Sequence, residues 1–456
     1  MAGITLSFRT ALIAFLTCTV AAPLAAQELE PLQIFAQFKS ALDANDLARA
    51  EAQAEALVST LERRHGKDAQ ELVNPLTNLG TVQFRRGELL LAESSYQRAI
   101  SLIEGQRSGA DRQLLRPLHG LGETWLASGR PAEATVALKR AVDLSRNLDG
   151  LYNFEQLDIV DALIEGYVAL GRDLDADREH QFAFRIAETQ FGKRDLRLLD
   201  PLNRFARWHE SMGRYSTARG LHARALQLAE ELSTDQPKVG VPALQGLART
   251  WMLEAIYGPE ATEGPPVESP DPGDSFFSSP GQARLNPDGL RALTFAAEIA
   301  RKTLPLDSKL LGETLAQVGD WHLLAGNLLR ANSAYSESYA ALNEAGPDAR
   351  RLLDSPRRLV YRPPAISATR MRPPKPDEYV LKLVEMRLKI GKDGKVRDAV
   401  IGNSSAPENS NRAALLAARK ARFAPRIENG QPVETEGVLM TEQLLIRTQR
   451  EPVPTN

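Results

Sequence analysis

The feature that most constrains this chain is a spacing. Gly87, Gly129, Gly171 and Gly213 stand 42 residues apart. Five positions after each glycine comes Ala92, Ala134, Ala176 or Ala218, and twelve after comes Ala99, Ala141, Ala183 or Ala225. The grid extends backwards to Asn45, which is followed at the same offsets by Ala50 and Leu57. A period of this length marks stacked units, none of which can bury its apolar face alone.

Each unit reads as two amphipathic helices with the glycine in the turn between them. Leu76, Leu79, Gly80 and Phe84 make one stripe of the second unit, and Ala92, Tyr96, Ala99 and Ile100 make the other; spacings of three and four are those of one helix face. Asp68, Asp111, Asp195 and Asp307 sit where an N-cap is wanted. Pro75, Pro117 and Pro201 recur shortly after the helix signal and leave the helix start open. The next turn on the grid falls at Ala255, and there the pattern breaks. Residues 258–287 hold seven prolines with glycine, serine and acidic residues, which predicts a long loop. Gly326 resumes the grid 71 residues after Ala255, one period of 42 plus 29 inserted residues. The expectation is seven helix pairs over 27–345, with the first pair (31–64) and the last diverged as caps.

Residues 346–376 hold seven more prolines and a basic run, Arg350, Arg351, Arg357, Arg358, Arg362, Arg370, Arg372 and Lys375, which reads as a stiff linker. Beyond it the period changes to two. Val384, Met386, Leu388 and Ile390 alternate with charged residues, Gly391-Lys392-Asp393-Gly394 reverses the chain, and Val396 to Ile401 returns as a second strand. A helix over roughly 411–422 and a last strand with Val438, Met440, Leu444 and Ile446 complete the order strand, strand, helix, strand. The fold class is α+β and multidomain: an all-α solenoid followed by a small sheet domain.

Two resemblances attach to these motifs. Leu79-Gly80, Gly87, Ala92, Tyr96 and Ala99, repeated as Leu121-Gly122, Trp125, Gly129, Ala134, Leu138 and Ala141, resemble the tetratricopeptide repeat in its longer kinesin-light-chain form. The run from Ile390 to Val396, then Asn403-Ser404-Ser405, Arg412 to Pro425 and Asn429 to Val433, is similar to the C-terminal domain of TonB-family proteins, placed at 377–449 with a tail at 450–456. The family usually opens with a Tyr-Pro pair, whereas here Tyr361 is followed by Arg362-Pro363. The first resemblance implies a concave face carrying Arg116, His119, Glu123, Asp158, Asp161, Glu165, Asp200, Asn203 and Arg207, a mainly acidic groove for a peptide or basic partner. The second implies that an extended peptide docks beside the last strand, at Val438, Met440, Glu442, Leu444 and Ile446, through backbone hydrogen bonds.

The net charge of −2 hides an asymmetry: residues 355–456 carry 19 Lys+Arg against 11 Asp+Glu, leaving 37 against 47 in 1–354. Either the two parts attract each other or they face different partners. Arg9, the apolar run Ala11 to Val20 and the small residues up to Ala26 read as a secretory signal peptide over 1–26, with an uncleaved inner-membrane anchor as the rival. Cys18, the only cysteine, lies inside it, so the mature chain has no thiol chemistry, and a periplasmic address follows.

No catalytic constellation, phosphate loop or metal motif is present, and no cofactor is expected. His180, His222, His209 and His322 fall at core positions of the repeats. The basic stretch lacks interleaved aromatics, which argues against nucleic acid. The expected function is a non-enzymatic periplasmic adaptor with envelope proteins or peptides as partners, an outer-membrane transporter among them, touching the membrane only indirectly. Two alternatives stand beside it: a membrane-anchored TonB-type energy transducer, and an envelope hydrolase assembled around Asp271, Asp274 and Ser275 in the insertion.

Overall fold

The computed structural model describes residues 30–105, 111–258, 285–368 and 378–448. The predicted signal peptide, most of the insertion with Asp271, Asp274 and Ser275, and the tail lie outside the described residues. Two compact units divide the chain, Met1–Ser128 and Gly129–Asn456.

The first unit holds α1 (Pro31–Asp43), α2 (Leu47–His65), α3 (Val73–Arg85), α4 (Leu89–Glu104) and α5 (Leu115–Ala127). The second begins with α6 (Pro131–Asp149), α7 (Leu157–Ala169), α8 (Asp173–Phe191), α9 (Leu199–Ser211), α10 (Tyr215–Leu232), α11 (Val241–Tyr257), α12 (Pro287–Lys302), α13 (Ser308–Leu324) and α14 (Leu328–Ala345). In chain order these fourteen helices are the seven pairs of the grid.

The grid position is a left-handed residue. Gly87, Gly129, Gly171 and Gly213 have φ of +79°, +71°, +69° and +71°, and Asn45 adopts +54°. Each follows a helix whose penultimate carbonyls are closed by the next amides, as when Glu88 N–H donates to the Gln83 carbonyl. Ala255 cannot take this conformation cheaply. The helix therefore runs through it, and α11 reaches 17 residues against 13 for α9.

The helix starts, open in the sequence, are settled by single 3₁₀ turns. Gln70–Leu72, Arg112–Leu114, Phe154–Gln156 and Leu196–Leu198 each precede an α-helix. Asp111 and Asp195 accept from the amides of Gln113 and Arg197 there, and Asp307 caps α13 through Leu310 N–H. Asn153 does the same at Gln156, which the search for aspartates misses. The turn at Gln70–Leu72 is entered through Ala69, one residue after Asp68. Pro75, Pro117 and Pro201 fall third in their helices, where no intrahelical amide bond is lost, and so they need not kink them.

Packing uses the small residues as anticipated. Ala50, Ala92, Ala134, Ala176 and Ala218 are wholly buried, as are Ala99, Ala141 and Ala225, while Ala183 is half-buried. Large side chains on second helices fill the space above glycines on first helices. A Cβ on Gly120 would lie 2.3 Å from the Tyr96 ring, and one on Gly246 2.3 Å from the His222 ring.

After α14 the chain forms α15 (Pro347–Arg350), β1 (Arg357–Val360), β2 (Tyr379–Ile390), β3 (Val396–Ser404), α16 (Glu408–Arg419), β4 (Arg422–Ala424), β5 (Arg426–Glu428), β6 (Gln431–Val433) and β7 (Thr435–Arg447). The main sheet has the antiparallel order β3-β2-β7, and α16 covers one face. Val384, Met386, Leu388, Ile390, Met440 and Leu444 meet Ala414 and Ala418 in its core. The helix lies three residues earlier than the sequence suggests at both ends. Pro407 holds an extended N-cap, and Arg422–Ala424 is taken up as a strand by β1.

Residues 347–368, read as part of a linker, are packed. Leu353, Ala424 and Ile427 share a core with Leu323, Ala331, Tyr335 and Leu342 of the last helix pair, and Val360 packs on Ile256 and Leu324. At the centre, Asp320 accepts from Arg357 at 2.9 and 3.1 Å and from the Tyr335 hydroxyl at 2.8 Å. Burial raises the Asp320 carboxyl above its ordinary range, while the Arg357 charge and the hydroxyl pull the other way. Among the described residues the sheet domain thus meets the last helices through apolar packing around the Asp320–Arg357 ion pair, with polar contacts from Tyr361 and Arg362 to α11.

Two outcomes are expected. Gly246→Ala and Gly120→Ala overpack and lower stability by about 1–3 kcal/mol, whereas Gly220→Ala, an exposed helix position with nothing within 4 Å, raises it by up to ~1 kcal/mol; urea midpoints read both. Asp320→Ala strands Arg357 and costs about 3 kcal/mol, read in the same way, with Asp320→Asn losing less.

Candidate interaction surfaces

The predicted helix-face residues divide between the two units. In the first, Arg116 donates to Asn78 Oδ1 at 3.1 Å, and His119 Nε2 lies 3.8 Å from Glu123 Oε1. In the second, Asp158, Glu165, Asp200 and Arg207 are exposed and Asp161 and Asn203 are half-buried. Arg204, which the sequence reading did not select, bonds Asp161 and sits 3.2 Å from Asp200. Its position four residues after Asp200 on α9 was the available signal. Burial raises the Asp161 carboxyl, Arg204 lowers it, and Asp158 and Asp200 add to the rise.

Asn203 turns towards the interior. Its Oδ1 lies 3.2 Å from His222 Nδ1, the other ring nitrogen lies 2.9 Å from Glu210, and Glu210 in turn accepts from Arg249 at 2.8 Å. His222 and His209 are buried, and His180 stacks on Trp208 with centroids 4.5 Å apart. Burial drops His180 to about 4. Among the described residues no three His, Cys, Asp or Glu side chains converge as metal ligands. A shallow hollow on α12, lined by Leu290, Thr294 and Phe295 among others, has no counterpart in the sequence reading.

The second surface is built on β7. Its antiparallel pairing with β2 runs from Tyr379↔Arg447 to Ile390↔Thr435, and it forms one border of the three-stranded sheet. Strand alternation turns Val438, Met440, Glu442, Leu444 and Ile446 to the α16 side, with Met440, Glu442 and Leu444 buried and the outer two half-buried. The opposite face exposes Leu439, Thr441 and Gln443. Leu381, Leu383 and Val400 are exposed on the neighbouring strands.

The border of β7 is met by the chain's own residues 366–368. Leu445 N–H donates to the Ile366 carbonyl at 2.8 Å, Ala368 N–H donates to the Gln443 carbonyl at 2.7 Å, and Ser367 pairs with Leu444. Glu442, 4% exposed, accepts hydrogen bonds from the Tyr361 and Ser367 hydroxyls. Burial, then the Glu442 carboxylate, push the Tyr361 hydroxyl far above the ordinary phenol range. Tyr361 is itself pinned to α11, its amide donating to the Tyr257 hydroxyl at 3.1 Å. Glu442 stands in an otherwise apolar stripe, and the two hydroxyls make its burial tolerable.

With this geometry in place, the comparisons agree with the two architectures. The tetratricopeptide-repeat family models match residues 71–147 and 201–237, and the Gram-negative bacterial TonB protein C-terminal model matches 383–442. The chain therefore contains tetratricopeptide repeats and a TonB C-terminal-type domain. No curated protein matches it. Similar solved structures include kinesin-light-chain TPR-like repeats from Podosopora anserina, 14% identical over 52% of this chain and 98% of that one, TM-score 0.40. Another is the C-terminal part of a TPR repeat-containing protein from Cytophaga hutchinsonii, 12% identical over 70% and 98%, TM-score 0.42. A third is a tetratricopeptide repeat protein from Parabacteroides merdae, 15% identical over 71% and 98%, TM-score 0.37.

Arg204→Ala is expected to raise the Asp161 pKa further, since the group that opposes burial is gone, while changing stability by less than ~1 kcal/mol; carboxyl-carbon NMR titration and thermal melts measure the two.

Proposed function

We propose that this chain is a non-enzymatic adaptor of the bacterial cell envelope, exported to the periplasm, whose sheet domain captures an extended partner segment along β7 while the helical repeats hold a second protein. The observation that carries this reading is that β7 already takes up an extended segment by backbone hydrogen bonds, the chain's own residues 366–368. A strand border that pairs in this way gives affinity through main-chain groups and selectivity through the side chains beside it.

The repeats and the sheet domain carry opposite formal charge, and the contact around Asp320 and Arg357 uses little of it. The exposed carboxylates of Asp158 and Glu165 suit a basic segment, although Arg204 leaves the surface less acidic than the sequence count suggests. The partner at β7 is an envelope protein with an accessible extended segment, an outer-membrane transporter being one such protein. Among the described residues no helix is long and apolar enough to cross a membrane. The second reading, a transducer anchored by its own N-terminal segment, takes the run Ala11 to Val20 as an uncleaved anchor, though it is short for a spanning helix.

Affinity capture from envelope extracts with the full-length chain tests the adaptor. By strand alternation with Leu445, the Thr441 amide faces away from β2, so Thr441→Pro removes a pairing donor while sparing the β2 ladder. The expected result is a partner retained by the natural chain and lost with Thr441→Pro; equal retention removes β7 from the account. Mass spectrometry of the mature N-terminus separates the readings, a start near Gln27 favouring the exported adaptor and an intact Met1 the anchored transducer.

A further inference from the structure

The contact between residues 366–368 and β7 has the marks of a placeholder. Among the described residues its backbone part is two hydrogen bonds and one bridged pair, joined by the Ser367–Glu442 side-chain bond and the packing of Ile366, against a β2 ladder that extends along the whole strand. Short, locally paired segments open at far lower cost than the sheets they border. The chain on the N-terminal side of this segment is held separately. Arg357 is bound to Asp320, Val360 packs on Ile256 and Leu324, the Tyr361 amide and carbonyl both meet the Tyr257 hydroxyl, and Arg362 donates to the Ile256 carbonyl. Residues 366–368 can therefore lift from β7 without moving Tyr361.

That difference bears on Glu442. With the segment down, its carboxylate has two hydroxyl donors, Tyr361 and Ser367. With the segment lifted, Tyr361 stays and the Ser367 donor leaves. Ser367 is wholly buried, so what it vacates is a serine-sized space ending at a carboxylate. An incoming strand that puts an aliphatic side chain there leaves a buried acceptor short of one partner, and a bulky cation does not fit the space. A site built around a hydrogen bond rejects the analogue that lacks it.

Resting on the strand-addition reading of β7, we propose that residues 366–368 are a resident strand which the partner replaces, and that Glu442 is the specificity residue of the border, selecting an extended segment with serine or threonine at the position of Ser367. The segment keeps the border covered until a partner of that chemistry arrives, and the tether anchored at Asp320 keeps the displaced residues nearby for return.

The test uses the full-length chain and has two arms. Residue-resolved hydrogen exchange compares Ala368 and Leu445 with β2 amides bonded to β7; exchange at least ~100-fold faster at the first two is expected of a segment that opens on its own. Binding is then measured with a synthetic peptide of the sequence 362–368, added to the Ser367→Val chain, whose own segment grips less well. Tight binding is expected with serine or threonine at the position of Ser367 and at least about tenfold weaker binding with valine. In the Glu442→Gln chain, where the side chain can donate as well as accept, this preference shrinks.

Equal, slow exchange at Ala368, Leu445 and the ladder amides overturns the resident-strand proposal and leaves strand addition elsewhere on β7 standing. Peptide binding indifferent to serine or valine overturns the role given to Glu442. Fast exchange with no binding of any peptide sinks strand addition itself, and the proposal with it.

Discussion

The buried carboxylate of Asp320 joins the two architectures of this protein. It sits on the last first-type helix of the repeats, receives the Tyr335 hydroxyl from the helix behind it, and binds Arg357 from the strand that leads into the sheet domain. A carboxylate this deep is tolerable only with such partners, so the charge makes the arrival of Arg357 a condition of good packing at the end of the repeats. From Arg357 the rest follows by chain connectivity. Strand β1 pairs with β4, Val360 closes over Ile256, Tyr361 is set beneath β7, and Glu442 finds its donor.

The helical repeats were legible because their rule is backbone chemistry printed in the sequence. A left-handed residue every 42 positions fixes where each first helix ends, and alanines at constant offsets fix how closely helices approach. The one failure of the grid, at Ala255, was legible for the same reason. The strand alternation around Val384 to Ile390 placed the main sheet equally well. Residues 347–368 were not legible. Their prolines and arginines have the composition of a linker, but Leu353, Arg357, Val360 and Tyr361 are fixed by partners at Tyr335, Asp320, Ile256 and Tyr257. Composition reports what a segment does alone, and this one is ordered by what it packs against.

The candidate surfaces show the same divide. Projecting repeat positions found Asp158, Asp161, Glu165 and Asp200, but could not show that Arg204 binds two of them or that Asn203 faces His222. Strand alternation found the five residues of β7 that face one side, yet gave no reason for Glu442 among four apolar neighbours. Side-chain partners drawn from distant parts of the chain are what the one-dimensional pattern lacks.

Function in this account follows from rigidity on one side of the sheet domain and replaceability on the other. The contact around Asp320 packs the sheet domain against the last helix pair, while in the proposed adaptor the border of β7 keeps a pairing segment for a partner to exchange. The most direct measurement of the central claim is photo-crosslinking in living cells, with a crosslinking side chain placed in turn at Leu439, Thr441 and Gln443, which are exposed along β7. The account predicts crosslinks to one extended segment of another envelope protein, shifting along that segment by two residues for each two-residue step on β7. Crosslinks confined to this chain's own residues at all three positions would contradict it.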